Sequence, residues 1–286
     1  MQVMQKRRLE TLNLVAMSLH GAQAIAVLTF DRWLDDGAAP KEGKFMLRRP
    51  ATAEAGWIDV RWITFACFGL SMLGQAYAAV YRRGHAGPLL RFAQHSITSG
   101  LMIMAIAVQI GLRDLYTLQG MFVLLWATQA FGLASETSQT PEQPWVPCVP
   151  LHAAGWVTCL AAFVPVMAAS FTLPQQHGQQ GRAIVWCEFA LFGALGGAQL
   201  ALLVARARAF RRAREQLPLL LVVCTPTIDE GDDDELWSPT TTTTRAHAGG
   251  VAALDQRAEA ASIVLTMLAK SLLGWLIMSP ILVAAV

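Results

Sequence analysis

The sequence predicts an all-α protein, a bundle of seven transmembrane helices. Three observations carry that expectation. Only 15% of the 286 residues are charged, against about a quarter in an ordinary soluble domain, while 54% are hydrophobic and the mean hydropathy is +0.41. The scarce charge sits in joints between long, nearly uncharged stretches. Each stretch also reaches the length of about 20 residues that a helix needs to cross the hydrocarbon core of a bilayer. This pattern excludes a soluble globular enzyme and a disordered protein. A net charge of +2 is too small to imply a nucleic acid or another polyanionic partner. The partner it does imply is the lipid bilayer, with residues 1–286 as one multi-pass membrane domain.

Within lipid the backbone must satisfy its own hydrogen bonds, so a single apolar run of this length is helical. The first span, 12–30, is too long for a cleavable signal peptide and lacks a small-residue cleavage site. It carries His20 and Gln23 at membrane depth. The second, 62–80, carries Gln75. The third, 89–112, opens on Arg91-Phe-Ala-Gln94-His95-Ser96-Ile-Thr98-Ser99-Gly-Leu-Met102, in which Arg91, Gln94 and Thr98 share a helical face. The fourth is 115–135, and the fifth, 150–171, contains Pro165. The sixth, 183–205, holds Glu188 and the pair Gly193 and Gly197, a spacing typical of helix packing. The seventh, 260–284, holds Lys270 near its middle.

Two connections are long. Residues 31–61 form a mixed-charge loop, and residues 215–258 form an insertion with an acidic run followed by five consecutive threonines, a composition suited to a flexible loop. The apolar run Leu217–Cys224 is too short to span; it reads equally as a surface-lying or a packing segment. With the N-terminus in the cytoplasm, 13 of the 22 Lys and Arg residues fall inside. They are Lys6, Arg7, Arg8, Arg82, Arg83, Arg91, Arg206, Arg208, Arg211, Arg212, Arg214, Arg245 and Arg257. Eight fall outside and Lys270 lies in the membrane, so the positive-inside rule predicts a cytoplasmic N-terminus and an extracellular C-terminus. The cysteines (67, 148, 159, 187 and 224) show no metal spacing and read as small apolar fillers. No catalytic constellation or metal site is expected.

A charge at the bilayer centre is costly and asks for a reason. Lys270 lies too far from either interface to snorkel. Desolvation favours the neutral amine, the form that attacks a carbonyl, so Lys270 reads as the anchor of a Schiff base with an aldehyde cofactor. The other reading is a structural lysine paired with a buried acid. His20, Gln23 and Gln75 read singly as interhelical hydrogen-bonding groups, and together with a buried lysine as the wall of a hydrated polar cavity. Glu188 reads as a proton-relay group or as an interface residue reaching outward. Asp114 and Glu136, at helix ends, read as solvated.

Two segments resemble the heliorhodopsins, a retinal-binding seven-helix family inverted in the membrane relative to other microbial rhodopsins. They are Pro88-Leu-Leu-Arg91-Phe-Ala-Gln-His-Ser96-Ile-Thr-Ser99-Gly-Leu-Met-Ile103 and Ala269-Lys270-Ser271-Leu-Leu-Gly-Trp275. The family patterns are Pro-Leu-Arg-Trp-x-Glu-Tyr-Ser-x-Ser followed by Leu-Met-Ile, and Ala-Lys-Ser-Leu-Leu-Ala-Trp. Weaker likeness lies at Leu12-Asn13-Leu14 with His20 and Gln23, at Gly111-Leu-Arg-Asp114, and at Phe131-Gly132 with Glu136. The resemblance implies that Lys270 carries all-trans retinal, that Thr266 replaces a family serine beside it, and that Thr98, Ser99 and Met102 line the chromophore. It also implies a homodimer and light sensing with little or no pumping, although some members, viral ones among them, pass protons.

The departures bear on the chemistry. The family's counterion glutamate falls on Gln94, the following tyrosine on His95, and a second-span histidine on Gln75. A protonated Schiff base in low dielectric needs a nearby negative charge; glutamine has none, and Arg91 beside it is positive. The linkage is then neutral, or balanced by a bound anion such as chloride, or balanced by Glu188. Three functions follow: a light sensor that signals to a cytoplasmic partner, a light-gated proton channel or transporter with Glu188 as relay, and a seven-helix interaction protein without retinal.

Overall fold

The computed structural model describes residues 2–36, 44–49, 52–80, 87–139, 148–172, 178–223, 256–257, 259–272 and 274–276. Helices α1 (Gln2–Asp36), α2 (Val60–Val80), α3 (Gly87–Gln109), α4 (Leu115–Thr137), α5 (Cys148–Thr172) and α6 (Gly178–Val223) follow one another along the chain. A further helical segment, Glu259–Leu276, is labelled α7. Successive helices from α1 to α6 pack side by side, and α3 also touches α6. Leu9 and Ala16 of α1 bury Ile263 of α7, which brings the last helix back against the first.

Among the described residues, six helices are long and apolar enough to cross a membrane: Arg7–Thr29 within α1, α2, α4, α5, Arg182–Arg212 within α6, and α7. The expected third span is helical over Gly87–Gln109 but is not one of the six. The reason is its polar first half. Ser96, Thr98 and Ser99 are buried, and each hydroxyl donates to a carbonyl one turn earlier: Ser96 to Phe92 O at 2.8 Å, Thr98 to Gln94 O at 2.9 Å, Ser99 to His95 O at 2.6 Å. Back-bonding of this kind satisfies a hydroxyl within its own helix, so polarity there does not require water. The second half of α3 is apolar, with Ile106, Ala107 and Val108 fully buried.

The all-α expectation is corrected in one place. Part of the expected outer loop 31–61 is an antiparallel hairpin, β1 (Lys44–Arg49) with β2 (Thr52–Asp59), in the register Lys44↔Asp59 to Leu47↔Gly56. Leu47 is buried with Val60 and Ile63, so the hairpin is seated on the bundle. Asp59 ends β2 and caps α2, accepting from Arg61 N at 2.9 Å and from the Arg61 guanidinium at 2.8 Å. Helix bounds differ too. Helix α1 runs to Asp36, beyond the expected end at 30, and α6 runs to Val223, past the expected start of the insertion at 215. The helix therefore includes most of the Leu217–Cys224 run. Residues 224–255 and 277–286, including Cys224 and the expected end of the seventh span, lie outside the described residues.

Between α3 and α4 the chain turns on Gly111 (φ 101°), where Leu112 N donates to Ala107 O at 2.9 Å. That left-handed conformation favours glycine at a helix C-terminus. Asp114 then caps α4, accepting from Thr117 N at 2.7 Å and Thr117 Oγ1 at 2.6 Å, so it is engaged rather than simply solvated. Helix α5 continues through Pro165. Gly196 takes the ring of Trp156, which a Cβ would meet at 2.6 Å, while Gly197 has nothing within 4 Å. The close packing between α5 and α6 thus centres on Gly196; of the expected pair, a Cβ on Gly193 would reach the same ring at 4.0 Å and one on Gly197 would not.

Candidate functional site

Lys270 is 4% exposed, on a face of α7 turned into the bundle. Its Nζ donates to Ser71 Oγ of α2 at 2.7 Å. Ser71 commits its own proton to Cys67 O at 2.6 Å, which leaves the hydroxyl oxygen as an acceptor aimed at the amine. Around this pair α7 is tied to α1 and α2. Ser271 Oγ donates to Gln23 Oε1 at 3.3 Å, and His20 Nδ1 lies 3.1 Å from the same oxygen. The His20 ring stacks on Phe68 at 5.9 Å. Gly274 faces Phe68 so closely that a Cβ would run into the ring.

Lys270 also lines a cavity of about 170 Å³ enclosed by α3 to α7. A void of about 10–15 Å³, measured in the same way, holds one water, so this one accommodates a sizeable ligand. Thr98, Ser99 and Met102 line it from α3, and Thr266 lines it one turn before the lysine. Thr266 Oγ1 lies 3.5 Å from Nε2 of His95, another lining residue. From α6, Glu188 also lines it; the residue is 2% exposed, and its Oε2 is buried without a hydrogen-bond partner. The aromatic groups Phe92, Trp156 and Phe192 complete a mainly apolar lining that also holds a basic amine and a carboxyl group. That donor set suits a long apolar aldehyde: the amine supplies the covalent anchor and the aromatic walls supply the packing.

One end of the cavity is closed by charge. Glu136 of α4 is buried and accepts from Arg91 of α3 through Oε2 and from Arg206 of α6, 3.1 Å away, through Oε1. The expectation that Glu136 is solvated at a helix end is therefore wrong. Its side chain points back between three helices, where two guanidiniums bond both carboxylate oxygens. Gln199 Nε2 donates to Gly132 O at 2.9 Å and Gln139 Nε2 to Leu203 O at 2.8 Å, holding α4 to α6 beside it.

Gln94 points away from the cavity onto α2. Its Nε2 donates to Ser71 O at 3.5 Å, and its carboxamide lies across Gly74, a position where a Cβ would collide with it. It thus touches the residue that receives the lysine's hydrogen bond. His20, Gln23 and Gln75 are all buried, but they do not line the cavity. The polar cavity expected from them is instead a packed hydrogen-bonded cluster between α1 and α7, with Gln75 buried in α2. Cys67, Cys148 and Cys159 are buried as expected of fillers, and Cys187 is exposed. No metal-binding cluster occurs among the described residues.

Sequence reasoning missed Ser71, which has no distinguishing motif, and the Arg91–Glu136–Arg206 cluster. The second had a readable signal: one acid and two arginines at the ends of three spans that orientation places on one side.

A family model for heliorhodopsins matches residues 9–195, and the chain belongs to that family. The match runs from α1 into α6 and includes Arg91, Gln94, His95, Glu136 and Glu188; Lys270 lies beyond it. No curated protein matches the chain. Membership implies a retinal chromophore in an integral, multi-pass membrane protein.

Proposed function

We propose that the protein is a seven-helix photoreceptor that carries all-trans retinal as a Schiff base on Lys270 and signals by a light-driven change of conformation. The observation that carries this reading is the buried amine of Lys270 on the wall of a largely apolar cavity between the helices. Helix α3 serves as the remaining span, since its polar side chains are buried and internally bonded. The N-terminus lies in the cytoplasm, with α3 entering from that side and Lys270 at mid-membrane.

Retinal, when bound, supplies light absorption and an isomerisable chain. The protein's residues do the rest. Ser71 orients Nζ, while Thr98, Ser99, Met102 and Thr266 shape the cavity on the lysine side. Glu188 is the carboxyl group in that cavity with an unbonded oxygen, which makes it the counterion candidate in place of a carboxylate at 94. A bound chloride is the competing source of negative charge. The Arg91–Glu136–Arg206 cluster joins α3, α4 and α6 at the cytoplasmic end, where their relative movement reaches a partner. The acidic segment 215–258 is on the same side, available to that partner. The protein works as a homodimer.

A second reading is favoured by Glu188 itself. A buried carboxyl group in the cavity with one oxygen unbonded suits a proton relay, so the alternative is a light-gated proton channel or transporter. Patch-clamp recording under illumination separates the two. A sensor passes no photocurrent; a channel passes a proton current that Glu188→Gln abolishes.

A further inference from the structure

The cavity contains Lys270 but has no carboxylate at position 94, and Gln94 is turned onto α2, where its carboxamide bonds Ser71 O. A carboxamide does not take up a proton at ordinary pH. Among the described residues three histidines and three acids stand within the bundle; of the acids, Glu136 is held by Arg91 and Arg206 and Glu259 opens α7, which leaves Glu188. His20 belongs to the cluster on the far side of α7, with Nδ1 on Gln23. His152 Nε2 already accepts from Trp156 Nε1 at 3.0 Å. Glu188 lines the cavity from α6. His95 lines the same cavity as Lys270, as His152 and Glu188 also do, and what sets it apart is that its Nε2 is 3.5 Å from Thr266 Oγ1. Thr266 lies four residues before Lys270, on the same face of α7.

Resting on the retinal reading above, we infer that His95 is the proton acceptor for Lys270 Nζ on the α3 side, reached through the Thr266 hydroxyl. In its neutral form with the proton on Nδ1, His95 offers a lone pair on Nε2. The N–H bond at Lys270 Nζ breaks as its proton goes to Thr266 Oγ1. The hydroxyl's own proton passes to Nε2, forming an imidazolium. The electron pair stays on Nζ, and no net charge is created in the cavity. Beyond His95 lie Arg91 and then Glu136 with Arg206, so the acceptor stands between the lysine and the charged end of the cavity. Glu188 belongs to a different helix, α6. The residue at 95 thereby decides from which side Nζ loses its proton.

Two measurements test this. In the retinal-free protein with ¹⁵N-labelled histidine, solid-state NMR identifies the His95 ring signals by their loss in His95→Gln. Those signals are expected to shift in Thr266→Val and in Lys270→Met and to hold their place in Thr266→Ser; signals that stay fixed in both Thr266→Val and Lys270→Met overturn the contact on which the relay depends. In the pigment, light-minus-dark infrared spectra are expected to show an imidazolium band in the wild type and in Thr266→Ser. The band should vanish in His95→Gln and form at least tenfold more slowly in Thr266→Val, while Glu188→Gln retains it. An unchanged difference spectrum in His95→Gln, with a carboxyl band that Glu188→Gln removes, makes Glu188 the acceptor and the proposal wrong. Failure of the wild type to form a pigment defeats the retinal reading and the light step with it, and the NMR experiment still decides whether His95 responds to Lys270.

Discussion

Ser71 does two things with one hydroxyl. It gives its proton to Cys67 O and receives one from Lys270 Nζ, so the amine is held in place without a charged partner in contact. Removing that acceptor leaves a buried amine unsatisfied, a loss of about 1–3 kcal/mol. Ser71→Ala is therefore expected to lower the unfolding midpoint in detergent and to shift the pigment's absorption band, whereas Ser71→Thr retains both near wild type. Glu136 makes a larger prediction. Cutting it away takes the shared carboxylate from Arg91 and Arg206, and breaking a buried ion pair from one side costs about 3–5 kcal/mol. Glu136→Gln should thus be severely destabilised in a detergent-unfolding assay. The triple variant Arg91→Met, Glu136→Leu, Arg206→Met should recover most of that loss, because it leaves no unpaired charge.

Among the helices, α5 and α6 meet where Trp156 lies on Gly196, and a neighbouring glycine supplies the control. Gly196→Ala forces the indole to move, an overpacking cost of about 1–3 kcal/mol. Gly197→Ala meets nothing and gains helix propensity, about 0.5–1 kcal/mol in its favour. Opposite signs in the unfolding midpoints of these two variants are the expected result; equal effects would mean that the packing is not as described. This contrast also marks a limit of sequence reading. Spacing exposes a small-residue pattern at 193 and 197 but cannot say which glycine faces a bulky ring, since that depends on helix rotation. Helix existence was legible from hydropathy, including α3, whose buried hydroxyls make it less apolar than its neighbours. The hairpin was not, because Lys44–Asp59 mixes charge with Gly and aromatic residues and reads as an irregular loop. Lys270 was legible because a lysine at membrane depth has few explanations, and Thr266 and the α3 residues only through the resemblance to the heliorhodopsins. Ser71 and the inward turn of Glu136 were not, because both are defined by contacts between helices far apart in sequence.

For the whole molecule, the distribution of Lys and Arg and the family membership bear on how the bundle sits and what it holds. A cytoplasmic N-terminus predicts that a tag fused before Met1 is protected from protease in intact cells, whereas a tag after Val286 is digested. Digestion of the first with protection of the second would invert the assignment of Glu188 to the outer side and His95 to the inner side. The central claim concerns the cavity and its lysine. It is tested most directly by the absorption spectrum of the purified protein after incubation with all-trans retinal, beside Lys270→Ala prepared in the same way. A near-ultraviolet or visible band that hydroxylamine bleaches, present in the wild type and missing from a folded Lys270→Ala, is the result predicted here. A folded wild type without a band, or a band that survives Lys270→Ala, would contradict it.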